Sequence, residues 1–360
     1  MTIISEPVDL QRLFTVPDFQ QVAAERLPPG AYTYVAGAAG DERTMRDNIH
    51  AFGRWKFMPR VLIDTSARST ATTVLGQPIA LPIGIAPFAL QRALHPDGER
   101  AMARAATAAK TFMGLSMGSN CTIEEVGSAA GCPLWWQPYL FDDHAYMREL
   151  ADRAAAAGFV AICLTVDSPV GGRRDSAMRE PIVMPDGVSW VNMPPELRRP
   201  SRKWLSGGDS WTWRDVDRVR GETKLALVVK GVLSPKDAAL AVEHGAKVVV
   251  VSNHGGRQLD DSIATLDALP AIVDAVAGRA EVVLDGGVRR GIDVLKALAL
   301  GARAVLIGRA AAWALAAGGQ AGVERMLELL RVELSVAMAI AGVTSVEHVD
   351  RDILVPAANR

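Results

Sequence analysis

Eight short apolar runs recur along the chain, each closed by a turn signal or a polar group, with segments of helical period between most of them. They read LPIGIA at 81–86, FMGLS at 112–116, LWWQP at 134–138, VAICLTV at 160–166, LALVVK at 225–230, KVVVVS at 247–252, EVVLD at 281–285 and RAVLIG at 303–308. Runs this short and this uniformly apolar suit strands buried on both faces, the pattern of a parallel sheet. The intervening DGERAMARAATAA, HAYMRELADRAAAAG, SPKDAALAVEHG and RGIDVLKALALG read as Ala-rich helices, several stopped by glycine. Eight strand-helix repeats are the number that closes a parallel sheet on itself and removes both edges. The sequence therefore predicts an α/β fold, a (β/α)8 TIM barrel. An open doubly wound sheet is the alternative, and it would lack the GxGxxG expected after its first strand.

The 360 residues are long for one domain but ordinary for a barrel with additions. The expected organisation is a single domain over 1–360, with an N-terminal helical cap at 1–80, a barrel at 81–345 and a tail at 346–360. Its long connection between strands 4 and 5, at 175–220, is rich in Pro, Gly, Trp and basic residues and reads as a lid. Lys plus Arg number 39 against 40 Asp plus Glu, a net charge of -1. That balance gives no long-range reason to expect nucleic acid or an anionic membrane as partner, so any bound anion must be held by local groups. Three cysteines without CxxC spacing, Cys121, Cys132 and Cys163, suggest neither a disulfide framework nor a metal site, and a reducing cytoplasm fits. The opening MTIISEPVDLQRLF does not read as a secretory signal, and PAANR at the end is not a peroxisomal tripeptide.

In a barrel, chemistry belongs at the C-terminal ends of the strands. There the sequence places Ser116, then Gln137 and Tyr139, Thr165 and Asp167, Lys230, Ser252 and His254, Asp285, and Gly308 with Arg309. Taken singly, a Ser, Thr or Gln at such a point is an ordinary turn or backbone cap. Lys230 is harder to dismiss, because an apolar run seldom ends in an ammonium unless an anion or electron-rich ligand meets it. Gly286 and Gly287 in DGGVRRG let backbone N–H groups approach a phosphate, while Arg289 and Arg309 supply charge at the position after strands 7 and 8. A phosphate held there, with hydrogen-bonding groups around the rim, fits flavin mononucleotide (FMN), and Lys230 would supply a cation beside its ring. His254 and Arg257 share the loop VSNHGGRQLD. With Asp167 to orient the imidazole, and Arg174 joining Arg257 as a carboxylate clamp, the set points to oxidation beside a carboxylate.

Six segments carry a resemblance to a known family: LPPGAYTYVAGAAGDERT, APFALQRALHPDGE, LTVDSPVGGRR, SNHGGRQLD, LDGGVRRGIDVLKALALGARAVLIGR and VELSVAMAIAGVTSVEHV. The chain resembles the FMN-dependent α-hydroxy-acid oxidases and dehydrogenases, such as glycolate oxidase, lactate oxidase and mandelate dehydrogenase, over nearly its whole length. The resemblance implies His254 as base with Asp167 as partner, and Tyr34, Tyr139, Arg174 and Arg257 around the substrate carboxylate. For FMN it implies Pro87, Phe88, Ala89, Ser116, Gln137, Thr165, Lys230 and Ser252, with Asp285, Gly286, Gly287, Arg289, Gly308 and Arg309 at the phosphate end. It also implies a homo-oligomer, tetramers being common in the family.

Four positions depart from that pattern: Phe88, Pro138, Ala38 and Gly118. Gly118 stands where glycolate oxidase has a tryptophan and mandelate dehydrogenase a small residue, so a substrate pocket with room for an aromatic or branched side chain is expected there. The 175–220 connection is short for the membrane-bound relatives, and its basic aromatic segment RRPSRKW, with Trp190, Trp204, Trp211 and Trp213, reads as a solvated lid. The expected activity is a soluble FMN-dependent (S)-2-hydroxy-acid oxidase using O2 and releasing H2O2. A quinone-linked dehydrogenase, a smaller-substrate lactate or glycolate oxidase, and a non-redox phosphate-binding isomerase are the alternatives.

Overall fold

Each of the eight apolar runs forms a strand. In the computed structural model, which describes residues 8–141, 143–193 and 210–357, they are β1 (Ile83–Ile85), β2 (Met113–Ser116), β3 (Leu134–Gln137), β4 (Ala161–Thr165), β5 (Ala226–Val232), β6 (Val248–Val251), β7 (Glu281–Asp285) and β8 (Ala304–Ile307). Neighbours pair in parallel and in sequence order, and β8 returns to β1, so the sheet is closed. The expected (β/α)8 barrel is thus borne out and the open sheet excluded. Helices Gly98–Ala108, Ile123–Ala129, His144–Ala156, Trp213–Gly221, Pro235–Glu243, Thr265–Val276, Gly291–Ala299 and Arg309–Ala341 follow the successive strands.

Closure works because the interior is full. Phe112, Trp135, Val228, Val250, Val283 and Leu306 meet inside the barrel, each no more than 1% exposed. Val74 and Ile79 extend this cluster at the N-terminal mouth. They come from a hairpin, Thr72–Val74 with Gln77–Ile79, that lies in the segment expected to be a helical cap. Its two turn residues, Leu75 (φ 51) and Gly76 (φ 70), are both left-handed. That is the geometry a two-residue hairpin needs, but Leu-Gly lacks the Asn-Gly or Asp-Gly signature that would announce it. Earlier in the cap the expected helices form: Val16–Arg26, Pro29–Ala36 and Arg43–His50. Near the chain's end, Leu354–Pro356 pairs antiparallel with Trp55–Phe57.

Two expectations about the connection between β4 and β5 change. The helix Trp213–Gly221 begins inside it, announced by a capping box in which Thr212 and Asp215 exchange bonds. Two of the tryptophans are covered: Trp190 is 6% exposed, and Trp213 stacks on His244 with ring centroids 5.2 Å apart. An indole gains more from burial against apolar surface than from lying in water, so these side chains pack inward rather than forming a solvated face. RRPSRKW, with Trp204, lies outside the described residues.

Candidate active site

A cleft of about 1000 Å³ opens at the C-terminal ends of the strands. Its wall includes Tyr34, Pro87, Phe88, Ala89, Ser116, Gln137, Tyr139, Arg174, Lys230, His254, Arg257, Asp285, Gly286, Gly287, Arg289, Gly308 and Arg309, brought together from every quarter of the sequence. Asp167, Thr165 and Ser252 stand one layer behind this wall. Gly118 also lies behind it. A Cβ built on Gly118 would meet the Cβ of Ala89 at 3.0 Å and the indole of Trp190 at 3.4 Å. The space expected to open at Gly118 is therefore occupied by Trp190, reaching in from the β4–β5 connection.

After β6 the backbone turns through three consecutive left-handed residues, His254 (φ 58), Gly255 (φ 64) and Gly256 (φ 75). For His254 that conformation costs about 1–2 kcal/mol, which the surroundings must hold in place. They do so on several sides. The His254 N–H donates to Ser252 Oγ at 3.1 Å, and His254 Nδ1 lies 3.0 Å from Asp167 Oδ1. Asn253 and Asn48 exchange reciprocal amide bonds of 2.8 Å, tying the loop to the cap helix Arg43–His50. Gln258 Nε2 donates to the carbonyls of Asp167 and Val170, while its Oε1 accepts from Arg174. Asn48, Asn253 and Gln258 escaped the sequence reading, which placed Trp190 only in the lid. Asn253 and Gln258 sit inside the quoted SNHGGRQLD, but amides in a loop look like turn chemistry until their partners are known.

The electrostatics sort the site into two ends. At one, burial holds the His254 imidazole below its ordinary value, with Asp167 opposing. Burial pushes Asp167 upward, but the facing His254 and then Lys230 outweigh it, and the carboxyl stays below its usual range. With Nδ1 against that carboxylate, the other ring nitrogen is the one free to take a proton. The ring of Tyr139 lies nearly parallel to that of His254, centroids 6.4 Å apart. Burial, reinforced by the Asp167 charge, drives the Tyr139 phenol upward, so it remains a hydrogen-bond donor.

At the other end the cleft is short of negative charge. Burial and the neighbouring Arg174 push Arg257 down to about 10, and burial pushes Arg289 down to about 10. Arg309 is lowered further by burial and by Arg257 and Arg289. These guanidiniums spend their donors on main-chain carbonyls: Arg257 on Tyr34 and Gly37, Arg309 on Val35, Gly255 and Gly37, Arg289 on Val288. Clustered cations that disfavour one another, and that have no carboxylate in ion-pair contact among the described residues, are relieved by an incoming anion. Arg257 also lies over the Tyr34 ring, 5.0 Å from its centroid.

Lys230 does not end its strand, because β5 continues through an irregularity at Gly231 to Val232. Gly231 has φ 108, and a Cβ there would come within 2.6 Å of the Asp167 Cβ, so the glycine lets β5 bend while Asp167 packs against it. Burial works against the Lys230 ammonium, but Asp285, 3.0 Å away, and Asp167 outweigh it and keep it charged. The polar groups fit a flavin mononucleotide. Thr165 Oγ1 and Asp285 Oδ1 are buried with no partner among the described residues, as donors and acceptors awaiting a ligand would be. Gly286 (φ 98) and Gly287 (φ 83) shape the backbone beside Arg289 and the start of the helix at Arg309, a phosphate cradle.

Fold and site together define an α/β-barrel oxidoreductase built around a phosphorylated cofactor. The family model of the FMN-dependent dehydrogenases matches residues 23–356, and the chain belongs to that family, with FMN as its cofactor. It is 46% identical to the L-lactate oxidase of Nostoc sp., covering 98% of this chain and 100% of that protein. It is 44% identical to glycolate oxidase 3 of Arabidopsis thaliana, over 93% and 94% of the two chains. Among solved structures, mandelate oxidase with (S)-2-phenylpropionate superposes with a TM-score of 0.88 at 40% identity, covering 96% of this chain and 98% of that one. No helix among the described residues is long and apolar enough to cross a membrane.

Proposed function

We propose that this enzyme oxidises an (S)-2-hydroxy acid with an aromatic or otherwise bulky side chain to the 2-oxo acid, with oxygen as the final acceptor and hydrogen peroxide as its product. The observation that carries the reading is the imidazole of His254, oriented by Asp167 at 3.0 Å and set beside an anion-seeking pair, Arg174 and Arg257, in one cleft. The relatives named above are oxidases of 2-hydroxy acids, and a solved mandelate oxidase is bound to benzoylformic acid, an aromatic 2-oxo acid.

In this reading the substrate carboxylate takes the place of the main-chain acceptors around Arg257 and lies between it and Arg174, a geometry suited to paired N–H donors. Tyr34 and Tyr139 offer hydroxyl donors on the same wall. His254 accepts the proton the substrate loses, from the hydroxyl if hydride leaves Cα or from Cα itself if a carbanion forms, and the Asp167 carboxylate stabilises the resulting imidazolium. When bound, FMN would supply the two-electron acceptor, reoxidised by oxygen. Ser116, Gln137, Thr165, Lys230, Ser252 and the 285–289 loop would hold it.

Anaerobic mixing of the FMN-loaded protein with (S)-mandelate, lactate and glycolate tests the reading directly. Flavin absorbance should bleach, fastest with mandelate, and absence of bleaching by every 2-hydroxy acid would overturn it. The pH dependence follows from the site. The base works as neutral imidazole, and burial holds His254 below its ordinary value of 6.5. Activity is therefore full above that value and lost only as pH falls through the lowered one. Asp167 opposes the lowering, so Asp167→Asn should move the acid limb of kcat/KM to still lower pH and reduce kcat by about 10²-fold. An unmoved limb would separate Asp167 from the base.

A further inference from the structure

Trp190 belongs to the expected lid, yet it is 6% exposed and lines the cleft. Its segment is stitched to the loop after β2 at several points. Asn120 Nδ2 donates to Ser189 O at 2.9 Å, and Val191 N to Ser119 O at 3.3 Å. Asn192, fully buried, donates to Ser119 Oγ at 2.7 Å and to Cys121 O at 3.0 Å, and its Oδ1 accepts from Ile123 N at 3.2 Å. These bonds fix the backbone on both sides of the indole. The indole itself packs where a side chain on Gly118 would go, 3.4 Å from the Cβ position, with Ala89 on the other flank. Any side chain at 118 would start in contact with Ala89 and with this indole.

We infer that Trp190 is the specificity-determining wall of the pocket for the substrate's side chain, and that Gly118 serves by making room for it. This rests on the 2-hydroxy-acid reading above. The apolar surface facing the substrate would then comprise Phe88, Ala89, Met178, Ile182 and Trp190, all on the cleft wall. A flat, immobilised indole contributes contact to an aryl substituent and little to a methyl group. A contact of this kind is worth about 10- to 200-fold in discrimination.

The test measures kcat/KM for (S)-mandelate and for L-lactate, with bound FMN read from the visible spectrum. Trp190→Ala should lower the mandelate-to-lactate ratio at least tenfold, and Trp190→Phe should retain most of it. Gly118→Ala, whose Cβ must displace Ala89 or the indole, should shift the ratio in the same direction by a smaller factor, and it remains informative if Trp190→Ala loses FMN. A ratio within twofold of wild type in an FMN-retaining Trp190→Ala, or in Gly118→Ala where Trp190→Ala loses FMN, overturns the inference, as does a ratio that rises. If wild type itself is reduced by neither acid, the functional reading fails instead, a result visible before any variant is made.

Discussion

Replacing His254 with Asn is expected to lower kcat/KM for a 2-hydroxy acid by about 10³- to 10⁴-fold while FMN stays bound. Asn is the informative replacement because it tolerates left-handed backbone, which His254 adopts at φ 58. An Ala there would add strain to the loss of the base and confound the two. The Ser252 bond to the backbone N–H is kept, as are the Asn48–Asn253 amide pair and Gln258, so the loop and the Arg174–Arg257 pair should persist. Substrate should therefore bind with little change while reduction slows. Stopped-flow measurement separates the two: the limiting reduction rate falls and the apparent dissociation constant moves by less than about threefold. A variant that reduces FMN at the wild-type rate would remove His254 from the chemistry.

The same loop shows what the sequence revealed and what it withheld. Strand count and the barrel were legible because both faces of a parallel barrel strand are buried, so VVVV or EVVLD has one sensible reading. The rule that chemistry gathers at strand ends then placed most of the cleft wall. What escaped were the residues whose role exists only through a partner far along the chain. Asn48 reads as one polar position on an amphipathic helix, and only folding puts it 2.8 Å from Asn253, 205 residues on. Trp190 is the sharper case. An indole amid prolines and basic residues looks like surface, and only folding sets it against Gly118, 72 residues earlier. The hairpin at 72–79 was hidden by a leucine in a left-handed turn. The strand-like Thr and Val there make runs of only three residues, too short to stand out as strands.

Gly287→Ala should be nearly as damaging as loss of the base, by a different route. The residue has φ 83, where an alanine costs about 1–2 kcal/mol, and its Cβ would fall 2.0 Å from the main-chain oxygen of Asn48 and 3.0 Å from Ile49 N. Neither neighbour can rotate away, because both are backbone of the cap helix. Asn48 is further held there by Asn253 and by Thr265 N, 3.1 Å from its Oδ1. Relief therefore demands that the 285–289 loop move, and with it Arg289 and the phosphate cradle, or that the cap helix lift from the His254 loop. Either way the FMN dissociation constant should rise by about 10²- to 10³-fold, equivalent to about 3–4 kcal/mol. Flavin fluorescence during dilution and the melting temperature with and without excess FMN would measure it. Wild-type FMN affinity in Gly287→Ala would show that cap and cradle are not mechanically joined, whereas weakened FMN in an Asn48→Ala variant as well would assign part of the joint to the Asn48 side-chain bonds with Asn253 and Thr265.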